Sequence, residues 1–136
     1  MKVIKLLLIS SLLITLVGCS NGPEKAKKNG DVVSDFGVVG NMYKLDKFIL
    51  DTESKTQSKV NITRFTKEGD PIYIHLDFNG REILMEKDSS RDKNGKGIKK
   101  FICKSISKLE KSDGTHYEVA DCQPNTISEL LVYQKK

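Results

Sequence analysis

The side chains best suited to chemistry in this sequence are three cysteines, Cys19, Cys103 and Cys122, and two histidines, His75 and His116. Thiolate sulfur and imidazole nitrogen are the usual ligands of tetrahedral zinc, so four of these residues could make such a site. Cys103 and Cys122 lack the close paired spacing of zinc motifs, however, and both histidines fall elsewhere in the strands predicted below. The sequence therefore predicts no metal site and no cofactor.

Cys19 stands at the end of a segment that has the three parts of a secretory signal peptide. Lys2 and Lys5 give the segment a positive start, and an apolar run over residues 6–17 follows them. As a helix this run would span about 18 Å, which is short of the ~30 Å hydrocarbon core, so a transmembrane anchor is the weaker alternative. Residues 1–18 are predicted to be a signal peptide.

The residues at the end of the apolar run resemble the lipobox of bacterial lipoproteins. They are Leu16, Val17, Gly18 and Cys19. The resemblance implies that the Cys19 thiol takes a diacylglyceryl group through a thioether and that the peptide bond before it is then cut. Two acyl chains hold a protein at a membrane where one would let it leave. We expect a protein that is lipid-anchored at the extracytoplasmic face of the cell membrane.

Assigning Cys19 to lipid leaves Cys103 and Cys122 as an even pair in an oxidising compartment, where a disulfide is the default expectation. The Asp113, Gly114 pair marks a turn between strands predicted over residues 98–109 and 115–122. A four-residue loop over residues 111–114 then places the two cysteines directly opposite each other. In this register they share the less apolar face of the hairpin, away from Ile106, which faces Val119.

A second candidate for chemistry is the polar face around His75. His75 lies between Tyr73 and Asp77 on the outer side of its predicted strand, with Glu82 and Glu86 nearby across the hairpin. An acid–base cluster there would suit a small hydrolase-like enzyme of the cell envelope. The favoured interpretation is the polar outer face of a half-exposed sheet, and no catalytic residue is assigned. The charged residues 88–97 lack the ligand spacing of a calcium loop.

The charge of the chain is unevenly distributed. Residues 87–111 hold nine basic and three acidic side chains. A basic surface could meet an anionic envelope polymer or an acidic protein, whereas nucleic acid is excluded by location and by the lack of interleaved aromatic residues. A solvated charged face is the alternative interpretation. The candidate contacts with an anionic partner are Lys93, Lys96, Lys99, Lys100 and Lys104.

The elements that must position these residues follow the hydrophobic periodicity. Residues 19–30 predict a lipidated flexible tether, and residues 31–40 an extended piece. Apolar residues three and four apart predict a helix to about residue 53, with Asn41 as its N-cap. Alternation predicts strands over residues 60–66, 71–78 and 81–87. Residues 127–133 could be a short helix or a last strand.

Two turns set the register of the three middle strands. A three-residue loop that ends at Gly69 places Val60 opposite Leu76, and a two-residue Asn79, Gly80 turn places Leu76 opposite Ile83. Residues 31–136 are thus predicted to form a single α+β domain, with one N-terminal helix packed on a mostly antiparallel sheet of about five strands. We expect a monomer.

Several short stretches resemble a family of small bacterial, Bacillus-type lipoproteins known as domain of unknown function 4362. The resemblance covers residues 29–33, 45–48, 62–72 and 90–93 and the pair Cys103 and Cys122. Phe36 stands where members often have a histidine, so no site built on that histidine is implied. The family carries no assigned activity. The expected function is a non-catalytic binding or interaction module, with the His75 enzyme as the alternative.

Overall fold

The computed structural model describes residues 22–136, so the predicted signal peptide, the lipobox and Cys19 lie outside the described residues. The described chain holds two helices, α1 (Gly22–Lys28) and α2 (Met42–Glu53). Its strands are β1 (Val32–Asp35), β2 (Val38–Gly40), β3 (Ser58–Phe65), β4 (Pro71–Phe78), β5 (Ile83–Asp88), β6 (Ile98–Cys103), β7 (Ser105–Glu110), β8 (Gly114–Cys122) and β9 (Ile127–Lys135). None of the described helices is long and apolar enough to cross a membrane.

The α+β class is confirmed, but the count of helices and strands is larger than predicted. A six-stranded mixed sheet has the order β2-β1-β3-β4-β5-β6, and a three-stranded antiparallel sheet has the order β7-β8-β9. The extended piece over residues 31–40 is a hairpin, because Phe36 and Gly37 both have positive φ (46° and 88°), as a tight two-residue turn requires. Strand β1 then runs parallel to β3, which makes the large sheet mixed.

The core lies between the facing sides of the two sheets and the apolar side of α2. Ile62, Ile74 and Leu76 of the large sheet share one buried cluster with Val119 and Leu131 of the small sheet. The face chosen from sequence for β3 and β4 is confirmed. Leu45 and Phe48 of α2 join the same cluster, as the helical periodicity predicted. The other side of the large sheet, here called the outer face, carries the polar residues.

The register of the first predicted hairpin is confirmed and that of the second is shifted. Val60 pairs with Leu76, whereas Leu76 pairs with Met85 instead of Ile83. The side chain of Asn79 accepts hydrogen bonds from the backbone amides of Arg81 and Glu82, both at 2.9 Å. These bonds hold residues 79–82 as a four-residue loop. The shift is by two residues, so every side chain keeps the face that was predicted for it.

The disulfide between Cys103 and Cys122 is present and joins β6 of the large sheet to β8 of the small sheet. The strand predicted over residues 98–109 is divided at Lys104, whose amide bonds to Ala120 at 3.1 Å while β7 enters the other sheet. The disulfide was expected on the less apolar face of the hairpin, whereas both cysteines are fully buried in the main core cluster. Asp121 has φ 53° within an irregularity of the β8–β9 pairing, which breaks the alternation and turns Cys122 inward.

The predicted flexible tether is wrong over Gly22–Lys28, which is helical. Ala26, a small apolar residue, is buried against Val33 and Phe65 and packs this helix onto the domain. Pro23 suits the first turn of a helix. Gly30, with φ 91°, ends the helix, and the amide of Asp31 bonds to the carbonyl of Ala26 at 3.1 Å, the pattern of a Schellman cap.

Asn41 is not the N-cap that was predicted. Its backbone is left-handed, with φ 56°, and its side chain makes no hydrogen bond to the first turn of α2. The Asn41 Nδ2 group instead donates to the carbonyls of Lys27 at 2.9 Å and Asp31 at 2.8 Å. Asn41 therefore links the end of α1 to the start of α2 through these two hydrogen bonds. This link fixes the loop that borders the candidate site.

Candidate functional site

The outer face of the large sheet carries a groove where the sheet is incomplete. Strand β1 pairs with β3 at Ile62, Thr63 and Arg64, so no strand within residues 22–136 lies beside the first half of β3 on that side. Helix α2 lies there instead, and Ser58 donates to Asp51 Oδ2 at 2.6 Å. A depression of about 590 Å³, here called the outer groove, lies between α2 and β3. Its lining includes Asp31, Lys44, Lys47, Lys59, Asn61 and His75.

The floor of the outer groove is a set of polar side chains held by hydrogen bonds. The buried hydroxyl of Thr63 donates to Asp31 Oδ2 at 2.8 Å, and His75 Nδ1 donates to Asn61 Oδ1 at 2.5 Å. Asp31, Asn61 and His75 also line an adjoining depression of about 280 Å³ that extends towards Glu86. The two depressions form one continuous polar surface, which opens to solvent.

Three lysines line the rim of the outer groove, and two of them are in ion pairs. Lys47 pairs with Asp51 at 2.6 Å, and Lys59 pairs with Asp77 at 2.7 Å. Hydrogen bonds from Lys47 and Ser58 lower the pKa of Asp51, so that carboxyl stays ionised and holds Lys47 in place. Lys44 Nζ donates to the carbonyl of Gly30. Within the described residues Lys44 has no carboxylate at ion-pair distance, so its positive charge is available to a ligand.

A model of one protein family, described as Domain of unknown function (DUF4362), matches residues 29–118. The chain belongs to this family. No curated protein and no solved structure matches the chain significantly. The matched range begins at the end of α1 and ends within β8, so the DUF4362 range includes the whole lining of the outer groove. It ends before Cys122 and β9, whereas the resemblance seen in the sequence ran as far as Cys122.

The acid–base cluster proposed around His75 is only partly assembled in the DUF4362 domain. His75 lies between Asn61 and Glu86 on neighbouring strands, as its outer-face position predicted. Glu86 Oε2 instead pairs with Lys100 Nζ at 3.0 Å, and Glu86 makes no ion pair with His75. Glu82 lies in the four-residue loop after β4. Among residues 22–136 no hydroxyl or thiol donates to the His75 ring, so the histidine has no nucleophile beside it.

The residues considered as metal ligands are separated in the structure. The disulfide uses both sulfur atoms of Cys103 and Cys122. His116 lies in the small sheet, with Nε2 at 3.1 Å from Asp113 Oδ1 and its ring against Tyr133. In the loop over residues 88–97, Asp88 accepts two hydrogen bonds from Ser90, and these lower the pKa of Asp88. That loop is a charged turn held by its own side chains.

The basic segment divides into paired and solvent-facing lysines. Lys87, Lys108 and Lys111 pair with Glu129, Asp46 and Glu118 at 2.5, 3.1 and 2.9 Å. The five lysines proposed to contact an anionic partner, Lys93, Lys96, Lys99, Lys100 and Lys104, are all exposed. They do not form one flat face, because Lys99 and Lys100 are consecutive in β6 and point to opposite sides of the sheet. They lie instead in β6, at the edge of the large sheet, and in the segments directly before and after it.

Sequence reasoning missed the contribution of Asp31, Lys44 and Lys59 to the site. Alternation along β3 would have placed Lys59 and Asn61 on the same side as His75, because their neighbours Val60 and Ile62 face the core. Asp31 and Lys44 come from segments that meet β3 only in the folded chain. No local pattern indicates that β1 stops halfway along β3, and this is the feature that creates the groove.

Proposed function

We propose that this DUF4362 chain is a membrane-anchored lipoprotein of the cell envelope and that its domain is a non-catalytic binding module. The observation that carries the proposal is the outer groove. Asp31, Asn61 and His75 place polar groups in it, its volume of about 590 Å³ suits a small ligand, and Lys44 on its rim has a positive charge with no carboxylate beside it among the described residues. Lys47 and Lys59 are held in ion pairs and His75 is hydrogen-bonded to Asn61, which favours binding over catalysis.

The lipid anchor is supported by the sequence Leu16, Val17, Gly18, Cys19, which resembles a lipobox. Helix α1 begins at Gly22, so only a few covalent bonds separate the lipidated residue from the packed domain. Three residues reach at most about 10 Å when extended. A domain anchored in this way sits directly on the extracytoplasmic face of the cell membrane, as a monomer, with its surfaces open to other envelope components.

The chemistry of the groove favours a ligand that has an anionic group and several hydroxyls. Lys44, Lys47 and Lys59 surround the opening, while Asn61 and His75 offer hydrogen-bonding groups on the floor. Charge-assisted hydrogen bonds to a phosphate are stronger than those between neutral groups. An anionic envelope polymer built from polyol phosphate has both features. We therefore propose such a polymer as the ligand class.

Lipidation of Cys19 is tested by metabolic labelling with radioactive palmitate. The wild-type chain expressed in a Gram-positive host is expected to take up label and to fractionate with membranes. Cys19→Ala is expected to take up none, because the thioether cannot form, and to remain as the longer unprocessed chain. Cys103→Ala serves as the matched control, since that cysteine belongs to the disulfide. Equal labelling of wild type and Cys19→Ala would contradict the anchor.

Ligand binding is tested by titrating the isotope-labelled full chain in neutral detergent with an oligomer of glycerol phosphate. We expect chemical shift changes at Lys44, Lys59 and His75, and no change with glycerol alone. Lys44→Gln is expected to raise Kd about tenfold, the equivalent of one charge-assisted hydrogen bond of ~1.4 kcal/mol. Lys135→Gln, which removes an exposed lysine outside the groove, should leave Kd unchanged. Equal effects of the two substitutions would exclude the groove as the ligand site.

The second candidate function is a small hydrolase-like envelope enzyme that uses the His75 face. One observation favours it. Because Asn61 Oδ1 can only accept, His75 donates from Nδ1, and the lone pair of Nε2 is left to act as a general base towards water. A hydrolytic activity that is abolished by His75→Ala and retained by His116→Ala would replace the binding module with this enzyme.

A further inference from the structure

The large sheet ends at β6, and half of that edge is already paired within the molecule. Ile102 and Gln123 exchange two backbone hydrogen bonds, at 3.1 Å and 2.8 Å, as an isolated antiparallel bridge. The amide of Lys104 also bonds on this side, to the carbonyl of Ala120 at 3.1 Å. The chain then leaves the edge at Pro124. The C-terminal end of β6 is therefore already paired, on this edge, with an antiparallel segment of the same chain.

The same bonds reveal which backbone groups of β6 face the open half of the edge. Residues of a strand direct their amide and carbonyl groups alternately to its two neighbours. Because Ile102 faces away from β5, Ile98 and Lys100 also face away from β5, and Lys99 and Phe101 face towards it. No strand among residues 22–136 pairs with the open half. The two alternate residues Ile98 and Lys100 therefore offer backbone donors and acceptors to a further strand.

The segment that forms this open edge is rich in lysine, while the neighbouring strand β5 carries Glu86 and Asp88. Residues 93–104 contain five lysines and no acidic residue. Lys99 lies directly opposite Lys87, and Lys87 is already paired with Glu129. Like charges in directly opposed positions destabilise a sheet. Of the five lysines only Lys100 has an ion pair among the described residues, with Glu86.

Lysines on an edge strand also serve to prevent association of sheets. That role alone does not explain the apolar side chains beside them. Ile98 is 58% exposed, Ile102 is 43% exposed, and Leu84, which pairs with Ile102, is 45% exposed. On the outer face Leu84 and Ile102 lie directly opposite each other, and Ile98 lies on the same side beyond Lys100; these three residues are here called the apolar strip. A surface with free backbone groups, an apolar strip and unbalanced positive charge has the features of a recognition edge.

We propose that the open half of β6 binds an extended acidic segment of a partner protein as an added antiparallel strand. The register sets the sequence that fits. A strand antiparallel to β6 presents acidic residues opposite Lys100 and Lys99 and an apolar residue opposite Ile98, which reads Glu-Glu-Val from its N-terminus. Main-chain hydrogen bonds supply affinity, and the lysines and the apolar strip supply specificity. This surface lies outside the outer groove and acts independently of the lipid anchor.

The first test measures fluorescence anisotropy of a labelled peptide with a Ser-Glu-Glu-Val-Ser core, using the full chain in neutral detergent. A peptide with a Ser-Lys-Lys-Val-Ser core is the matched control and should not bind. The double variant with Lys99→Glu and Lys100→Glu is expected to raise Kd at least tenfold, since it replaces attraction with repulsion. Equal binding of the two peptides would overturn the proposal.

The second test separates strand addition from simple charge attraction. Lys100→Ala and Lys100→Pro remove the same charge, but only proline removes the amide that faces the open edge. Proline is tolerated at such edge positions because no internal hydrogen bond is lost. The alanine variant should bind the acidic peptide more weakly than wild type, and the proline variant at least fivefold more weakly than the alanine variant. Equal Kd values for the two variants would overturn strand addition.

Amide hydrogen exchange gives a measurement that does not depend on whether the proline variant folds. In the free wild-type chain, the amides of Lys99 and Phe101 are expected to be protected by β5, and those of Ile98 and Lys100 to exchange quickly. The acidic peptide should slow exchange at Ile98 and Lys100. Peptide binding without this protection, or binding of anionic phosphatidylglycerol vesicles at β6 in place of the peptide, would contradict the proposal.

Discussion

Replacing Cys103 and Cys122 together with alanine is expected to lower the free energy of unfolding by about 3 kcal/mol or more. The disulfide closes a loop with a sequence separation of 19 residues, and in the chain-entropy model a loop of that length contributes about 3 kcal/mol. Both cysteines are fully buried in the main core cluster, so alanine also leaves space where two sulfur atoms were packed. The entropic and packing contributions act in the same direction.

Urea unfolding followed by circular dichroism measures this effect. The wild-type chain in excess reducing agent should lose only the roughly 3 kcal/mol of the chain constraint and keep its packed sulfur atoms, so it should be destabilised less than the double alanine variant. Lys104→Ala is the matched control. It changes an exposed neighbour of Cys103 and should shift the free energy of unfolding by less than 0.5 kcal/mol. A loss below 1 kcal/mol in the double variant would mean that packing alone holds the two sheets together.

Local pattern was sufficient to predict the middle of the fold. Strand β4 alternates throughout and β3 alternates as far as Ile62, and Gly69, with φ 85°, takes the left-handed position that the three-residue loop needs. The inner face was therefore identified correctly. The β4–β5 register was wrong by two residues, because Asn79 accepts hydrogen bonds from two amides and holds a longer loop. An even shift leaves the sides of all residues unchanged, so the error did not affect the site.

Elements that depend on distant partners could not be predicted in the same way. Strand β1 is stabilised by parallel pairing with β3, and α1 by the contact of Ala26 with Val33 and Phe65. Neither contact leaves a periodic signal in the sequence. The position of His75 on the outer face followed from alternation. That His75 makes no ion pair with Glu86 could not be predicted. Glu86 pairs instead with Lys100 of β6, and no local pattern indicates that β6 lies beside β5.

The strand break at Lys104 has the same kind of cause. Residues 98–109 contain no glycine or proline, and nothing local marks a change of sheet. The disulfide and the hydrogen bond from the Lys104 amide to the Ala120 carbonyl together hold this part of the chain beside β8. This crossover also leaves the first half of β6 with β5 as its one strand neighbour among residues 22–136, and it thereby creates the open edge to which we assign an acidic segment.

Replacing Phe48 with alanine is expected to lower the free energy of unfolding by about 3–5 kcal/mol, the usual range for a buried phenylalanine. Phe48 is only 1% exposed and packs in the cluster that α2 shares with both sheets. The same helix forms one wall of the outer groove through Tyr43, Lys44 and Lys47. A cavity under α2 loosens that wall, so the affinity for a glycerol phosphate oligomer should fall together with stability.

Leu50 provides the matched control on the same helix. It is 62% exposed, so Leu50→Ala removes a large apolar side chain without opening a cavity, and the free energy of unfolding should change by less than 0.5 kcal/mol. Urea unfolding measures both variants, and the oligomer titration at a temperature where both are folded measures their affinity. If Phe48→Ala lost stability but kept full affinity, the position of α2 would not determine the groove. The ligand would then be held by β3 and the Asn29–Asp31 turn alone, and Lys44 would lose its assigned role.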